Sequence, residues 1–262
     1  MFALKTSCQM ALALIDLTSL NDNDTDETVG QLCTRASQSP VAPAALCISA
    51  GFVTTARNRL QALGMTHVQV ATVANFPQGN GTLADVVDET VAAIKAGADE
   101  IDVVFPYRAL LAGDAKAGEA LVAECKAACG ERLLKVIIET GELKTAGLIQ
   151  AASEIAIAAG ADFVKTSTGK VAVNATLDSA RTILATIKSS GVDVGFKAAG
   201  GIRTPRQAQE YIEVAARIMG EQWLDARHFR LGASALFEQL LPLCADTKIA
   251  TQTSACTSTG RP

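Results

Sequence analysis

Asp162-Phe163-Val164-Lys165-Thr166-Ser167-Thr168-Gly169-Lys170 sets a lysine at the end of a short apolar run and follows it with a hydroxyl-rich loop holding a glycine and a second lysine. The run reads as a buried strand and the rest as the loop that leaves it. Burial disfavours the charged form of an amine and lowers its pKa, which is how a lysine becomes nucleophilic near neutrality. At the ordinary pKa about one lysine in 2,500 is neutral at pH 7; at a pKa near 7 about half are. The competing use of such a residue is a strand-end lysine that reaches back to water along its aliphatic stem.

The same strand-loop-helix pattern extends outward in both directions. Apolar runs occur at Leu12 to Leu17, Ala44 to Ser49, His67 to Ala74, Asp99 to Phe105, Leu133 to Glu139, Ala161 to Thr166, Val192 to Lys197 and Phe229 to Gly232. Helical patterns lie between them, including Asp24 to Ser37, Phe52 to Leu63, Thr82 to Ala96 and Ala115 to Ala128. Gly97, Gly130, Gly160, Gly191 and Gly220 stand where helix-terminating glycines are expected. Markers at the strand ends (Asp16, Cys47, Asn75, Asp102, Lys135, Lys165, Lys197, Gly232) recur every 27 to 35 residues. Eight such units predict a TIM (β/α)8 barrel, an α/β fold in one domain over 1–245. A doubly wound open sheet, the alternative, would usually lack the eighth unit. A short helix is expected before the barrel, and a mobile polar tail over 246–262 after it.

Chemistry in such a barrel belongs to the C-terminal strand ends. Asp16, Asp102, Lys135, Lys165 and Lys197 are ionisable residues in otherwise apolar strands, and long charged side chains are rarely buried unless paired. Five of them on separate strands predict one convergent polar site. Lys165 and Lys197 fall on consecutive units, so each charge disfavours protonation of the other amine. Asp102 and Lys135 are candidates for moving protons, although Lys135 lies early in its strand. Thr18 and Cys47 also end strands, and a free buried cysteine more often serves packing. A phosphate cradle is expected from Thr168-Gly169-Lys170, from Ala198-Ala199-Gly200-Gly201-Ile202-Arg203 and from Gly232-Ala233-Ser234 at a helix start.

Several functions are excluded. A net charge of −4 lacks the footprint of a nucleic-acid binder. No apolar run approaches the roughly 18 residues of a membrane span, and Asp16 interrupts the only stretch resembling a secretory leader. Seven scattered cysteines without CxxC pairs point to reduced thiols in the cytoplasm. Two histidines make a His-rich metal site unlikely by composition, so no metal is expected. Asn21 to Glu27 imitates the start of a calcium loop but has Glu27 in place of the turn glycine; its acids are expected to cap the following helix. Thr168-Gly169-Lys170 lacks the other elements of a Walker loop, and Gly79-Asn80-Gly81-Thr82-Leu83-Ala84 is set apart from its strand, against dinucleotide binding.

With these residues in place, the chain from about Leu12 to Leu241 resembles the deoxyribose-phosphate aldolases, Schiff-base enzymes on a TIM barrel. The resemblance is carried by Asp99 to Val104, Leu134 to Thr140, Phe163 to Lys170, and Gly195-Phe196-Lys197 with Gly200-Gly201. It implies that Lys165 forms an imine with acetaldehyde and that Asp102 and Lys197 exchange protons. It also implies that Lys170, Gly169, Gly200, Gly201, Gly232 and Ser234 hold the substrate phosphate. Asp16, Thr18, Cys47, Lys135 and Thr168 would support them. The implied reaction joins acetaldehyde and glyceraldehyde 3-phosphate, or cleaves 2-deoxyribose 5-phosphate, without a cofactor, in a homodimer. Departures are Ala198 where relatives commonly have proline, which is expected to loosen the loop, and Ala235 where they often carry a second serine. The segment Ser49-Ala50-Gly51 is smaller than usual, and no tyrosine lies near the C-terminus. Rival readings are a transaldolase-like Schiff-base enzyme and a non-catalytic phosphosugar-binding barrel.

Overall fold

The computed structural model describes residues 2–245, so the tail expected over 246–262 lies outside the described residues. Eight strands form the centre: β1 (Ile15–Ser19), β2 (Ala45–Ile48), β3 (Gln69–Ala74), β4 (Glu100–Val104), β5 (Leu133–Ile137), β6 (Phe163–Lys165), β7 (Gly195–Ala199) and β8 (Phe229–Ala233). Each pairs in parallel with the next, and β8 closes on β1 through Asp16 opposite Gly232. This is the TIM barrel that the eight-unit spacing predicts. Parallel neighbours require a crossover, and helices between the strands supply it.

Helix boundaries follow local chemistry. Thr25, Thr82, Asp114, Thr145, Thr176 and Thr204 each accept a backbone N–H at the start of a helix, a contact that contributes about 1 kcal/mol. At the other ends, Gly97, Gly130, Gly160, Gly191 and Gly220 all have positive φ, as expected of terminating glycines.

Three expectations are corrected. Leu12 and Ala13 close the N-terminal helix Leu4–Ala13 rather than opening β1. Cys8, Ala11 and Leu12 are buried at helical spacing; this helix packs on Pro205–Met219 and Ala235–Cys244. The helix expected from Asp24 starts at Asp26 with Thr25 as cap, while the Asp24 carboxylate turns back to accept from Ser19 Oγ at 2.8 Å and Asn21 N at 3.0 Å. Ala198 does not loosen its segment: it is fully buried within β7 and pairs with Leu231.

Two kinds of interior result. The main apolar core lies between strands and helices, formed by residues such as Leu17, Leu46, Val70, Val103, Val136, Val164, Phe196 and Leu231. Side chains alternate along a strand, so the residues between these face the lumen, where Ala45, Cys47 and Ala71 form a separate small cluster. Beside that cluster the lumen also holds a group of buried charged side chains.

Candidate active site

Seven ionised or ionisable side chains from six strands meet inside the barrel, and all are at least 97% buried. Lys165 Nζ donates to Asp102 Oδ2 at 2.7 Å. Lys197 Nζ donates to the same oxygen at 2.7 Å and to Asp16 Oδ2 at 2.5 Å. Lys135 Nζ donates to Asp102 Oδ1 at 2.8 Å and to Glu100 Oε2 at 2.5 Å, and lies 3.5 Å from Asp16 Oδ2. Arg230 completes the cluster, reaching Asp16 Oδ1 at 2.6 Å and Glu100 Oε1 at 2.8 Å. Register makes this possible: Asp102 sits opposite Lys135 across β4 and β5, and Lys165 opposite Lys197 across β6 and β7.

All five ionisable residues predicted from the strands are therefore in contact. Lys135, expected early in its strand, lies at its middle and is central to the cluster. Cys47 Sγ is 4.0 Å from Asp102 Oδ2, and burial pushes its thiol up, which keeps it protonated beside the carboxylate. Glu100 and Arg230 escaped the sequence reading, although each carries the signal that flagged the others, a charge inside an apolar strand. Glu139 was also missed. It is buried with φ 56°, and its carboxylate accepts from Thr168 Oγ1 at 2.6 Å and Thr168 N at 3.2 Å, tying the loop after β6 to the end of β5.

The electrostatics separate the three lysines. Burial opposes charge on each amine. Around Lys197, Asp102 and Asp16 overcome that cost and raise its pKa; around Lys135, Asp102, Glu100 and Asp16 do the same. Lys165 has only the shared Asp102, with Lys197 opposing it, and burial leaves its pKa below the usual value. The carboxyls of Asp16 and Asp102 are held well below the ordinary range by the surrounding cations in spite of burial.

Above the cluster opens a cavity of about 390 Å³. Lys165 lines it, whereas Lys135 and Lys197 do not. The expected phosphate loops form its wall: Thr168, Gly169 and Lys170, then Gly200 and Gly201, then Gly232 and Ser234, with Thr18 on the β1 side. Gly200 has φ 87°, and a Cβ there would stand 2.7 Å from Asn174 Cβ. At Gly232 a Cβ would lie 3.0 Å from Lys197 Cε; both positions need the bare backbone. Ser234 precedes the helix Ala235–Cys244 and makes no side-chain capping bond, leaving its hydroxyl for the cavity. Lys170 Nζ donates to Leu20 O at 2.8 Å at the rim. Arg35 and Arg203, not singled out from sequence, add two guanidinium groups to the lining. An amine of lowered basicity at the floor, with cationic side chains and glycine backbone at the mouth, is an arrangement that can take a compound carrying both a carbonyl and an anionic group.

Known proteins share this fold. The chain is similar to a candidate deoxyribose-phosphate aldolase from Toxoplasma gondii, at 26% identity over 93% of this chain and 98% of that one, with a TM-score of 0.86. It is also similar to a candidate deoxyribose-phosphate aldolase from Coccidioides immitis, at 30% identity over 89% and 86% of the two chains, with a TM-score of 0.78. The family model described as DeoC/LacD family aldolase matches residues 10–236. A match over that length, on a barrel whose lumen carries a lysine open to a cavity lined by cationic side chains, shows that the chain belongs to the DeoC/LacD family of aldolases.

Proposed function

We propose that the chain is a class I aldolase that reversibly cleaves 2-deoxy-D-ribose 5-phosphate to D-glyceraldehyde 3-phosphate and acetaldehyde. One observation carries this reading: of three buried strand lysines, the one with lowered basicity is the one that lines the cavity. The neutral Lys165 amine adds to the aldehyde carbon of the open-chain sugar, and a proton delivered by the Asp102–Lys197 pair lets water leave and gives a protonated imine. That cation draws in the electron pair of the C2–C3 bond as a proton leaves the C3 hydroxyl, so glyceraldehyde 3-phosphate departs and an enamine remains. Protonation of the enamine carbon and hydrolysis of the imine release acetaldehyde and restore the amine. Asp102 and Lys197 share one oxygen with Lys165 and are the pair that holds and passes the proton. Wall residues place the phosphate so that the sugar carbonyl reaches the amine.

The test is reduction with borohydride in the presence of acetaldehyde, followed by peptide mass spectrometry. A two-carbon adduct on the Lys165 peptide is the expected result; no adduct, or labels spread over surface lysines, would overturn the reading. Phosphate recognition is tested separately. Lys170→Ala and Arg203→Ala are each expected to raise KM for deoxyribose 5-phosphate by about 10- to 100-fold, the effect of losing a charged hydrogen bond. Cleavage of unphosphorylated deoxyribose should stay unchanged, and equal losses on both sugars would argue against a phosphate cradle. The same reading places the enzyme in the cytoplasm as a homodimer. In support of the former, the six cysteines among the described residues are free and buried. No helix among the described residues is long and apolar enough to cross a membrane.

A further inference from the structure

Four cations (Lys135, Lys165, Lys197, Arg230) face three carboxylates (Asp16, Glu100, Asp102) in the lumen. With every group charged, the cluster would hold one uncompensated positive charge among side chains that are at least 97% buried, which is costly. One proton must therefore be held weakly. Arg230 cannot release it, because a guanidinium stays charged in proteins. Lys135 is surrounded by three carboxylates and Lys197 by two, while Lys165 shares its single partner with both. Lys165, with the weakest carboxylate support, is thus the amine that gives up its proton.

We propose that Arg230 and Glu100 are positioning residues that fix the charge count of the cluster and so decide that Lys165 is the amine left neutral. The proposal rests on the Schiff-base reading of Lys165. Both residues lie at the opposite end of the barrel from the substrate cavity. They line a separate hollow of about 520 Å³ at the strand beginnings, with His67, Gln69, Phe163 and His228, so neither is placed to touch substrate. Arg230 is fixed there by its Nε bond to Ala226 O at 2.5 Å and by the Phe163 ring 5.7 Å away. Its planar fork holds Asp16 on one side and Glu100 on the other, and these carboxylates hold Lys197 and Lys135. Removing the Arg230 charge leaves three lysines for three carboxylates, so Lys165 can keep its proton. Loss of the Glu100 charge does the reverse. The remaining ionisable groups around Lys165 are Cys47 from β2, kept as a thiol by burial, and Glu139 after β5, whose carboxyl burial pushes up.

The experiment follows acetylation of Lys165 by acetic anhydride as a function of pH, read by peptide mass spectrometry, because it reports the neutral amine without needing catalysis. Arg230→Gln is expected to move the labelling midpoint up by roughly one pH unit, a tenfold loss of reactivity on the acid side. Glu100→Gln should move it down, and the double variant and Arg230→Lys should both lie near the parent. A merely structural role predicts shifts of the same sign or none in the two single variants, and that result would overturn the proposal. Should Arg230→Gln fail to fold, Glu100→Gln alone decides: a midpoint that does not fall overturns it. Acetaldehyde trapping in the parent enzyme tests the Schiff-base reading independently, so either can fail without the other.

Discussion

Lys165→Ala is expected to abolish cleavage of deoxyribose 5-phosphate, by about 10⁵-fold or more, and to remove the acetaldehyde adduct. Removing a covalent nucleophile eliminates the path itself rather than weakening one contact in it. Lys135 and Lys197 cannot substitute, since neither lines the cavity and both are held as ammonium groups by two or more carboxylates. Lys165→Met, close in volume, separates chemistry from folding. It leaves three cations for three carboxylates while Asp102 keeps Lys135 and Lys197 as donors. Its stability is expected to equal the parent's or exceed it by about 1 kcal/mol near pH 7. The sign follows from the lowered pKa of Lys165 in the fold: its protonated form costs stability below the unfolded value of about 10.4, so the gain should vanish above that pH. Denaturant melts at pH 7 and pH 10.5 with a cleavage assay check both parts. Residual turnover with the adduct moved to Lys197 would refute the assignment.

The barrel was legible because its signals are local. Eight apolar runs at nearly constant spacing, with threonine or aspartate caps and terminating glycines, specify each unit without reference to the others. The site was legible for the related reason that a charge in an apolar strand is anomalous by itself, as at Lys165, Lys197 and Asp102. What the sequence does not display is pairing. Glu100 and Arg230 are 130 positions apart and meet only because β4 and β8 face each other across the lumen. The place of Lys135 in its apolar run hides its position, since Leu133 and Leu134 belong to the strand and set the lysine at its middle. Glu139 depends on a left-handed backbone at the end of β5, which a non-glycine residue does not announce. The start of the first strand is hidden because helix and strand meet with a single residue between them, Leu14, and the apolar run continues through both.

Asp102→Asn should damage folding and catalysis together. One carboxylate accepts from three lysines, with Lys135 on Oδ1 and Lys165 and Lys197 on Oδ2. Asparagine has the same shape, but it is neutral and turns an N–H donor toward at least one ammonium group. Four cations would then face two carboxylates. Breaking a buried ion pair from one side costs about 3–5 kcal/mol, which for a chain of this length lowers Tm by roughly 10 °C. Loss of the proton carrier should cut kcat by about 10²- to 10⁴-fold. The pH dependence separates electrostatics from packing. Because Asp102 is held well below its usual pKa in the fold, its contribution is present above the unfolded value of about 3.9 and is lost as the pH falls below it. The gap between parent and variant should therefore narrow by about 1.4 kcal/mol per pH unit below pH 4. In the variant the lysines lose their main partner and their pKa values fall, so its stability should rise with pH toward 10 as unfolded chains retain protons that the fold releases. Denaturation at pH 3, 6 and 9 measures both limbs. A gap constant across that range would mean that Asp102 acts through shape, and the charge-balanced lumen would have to be abandoned.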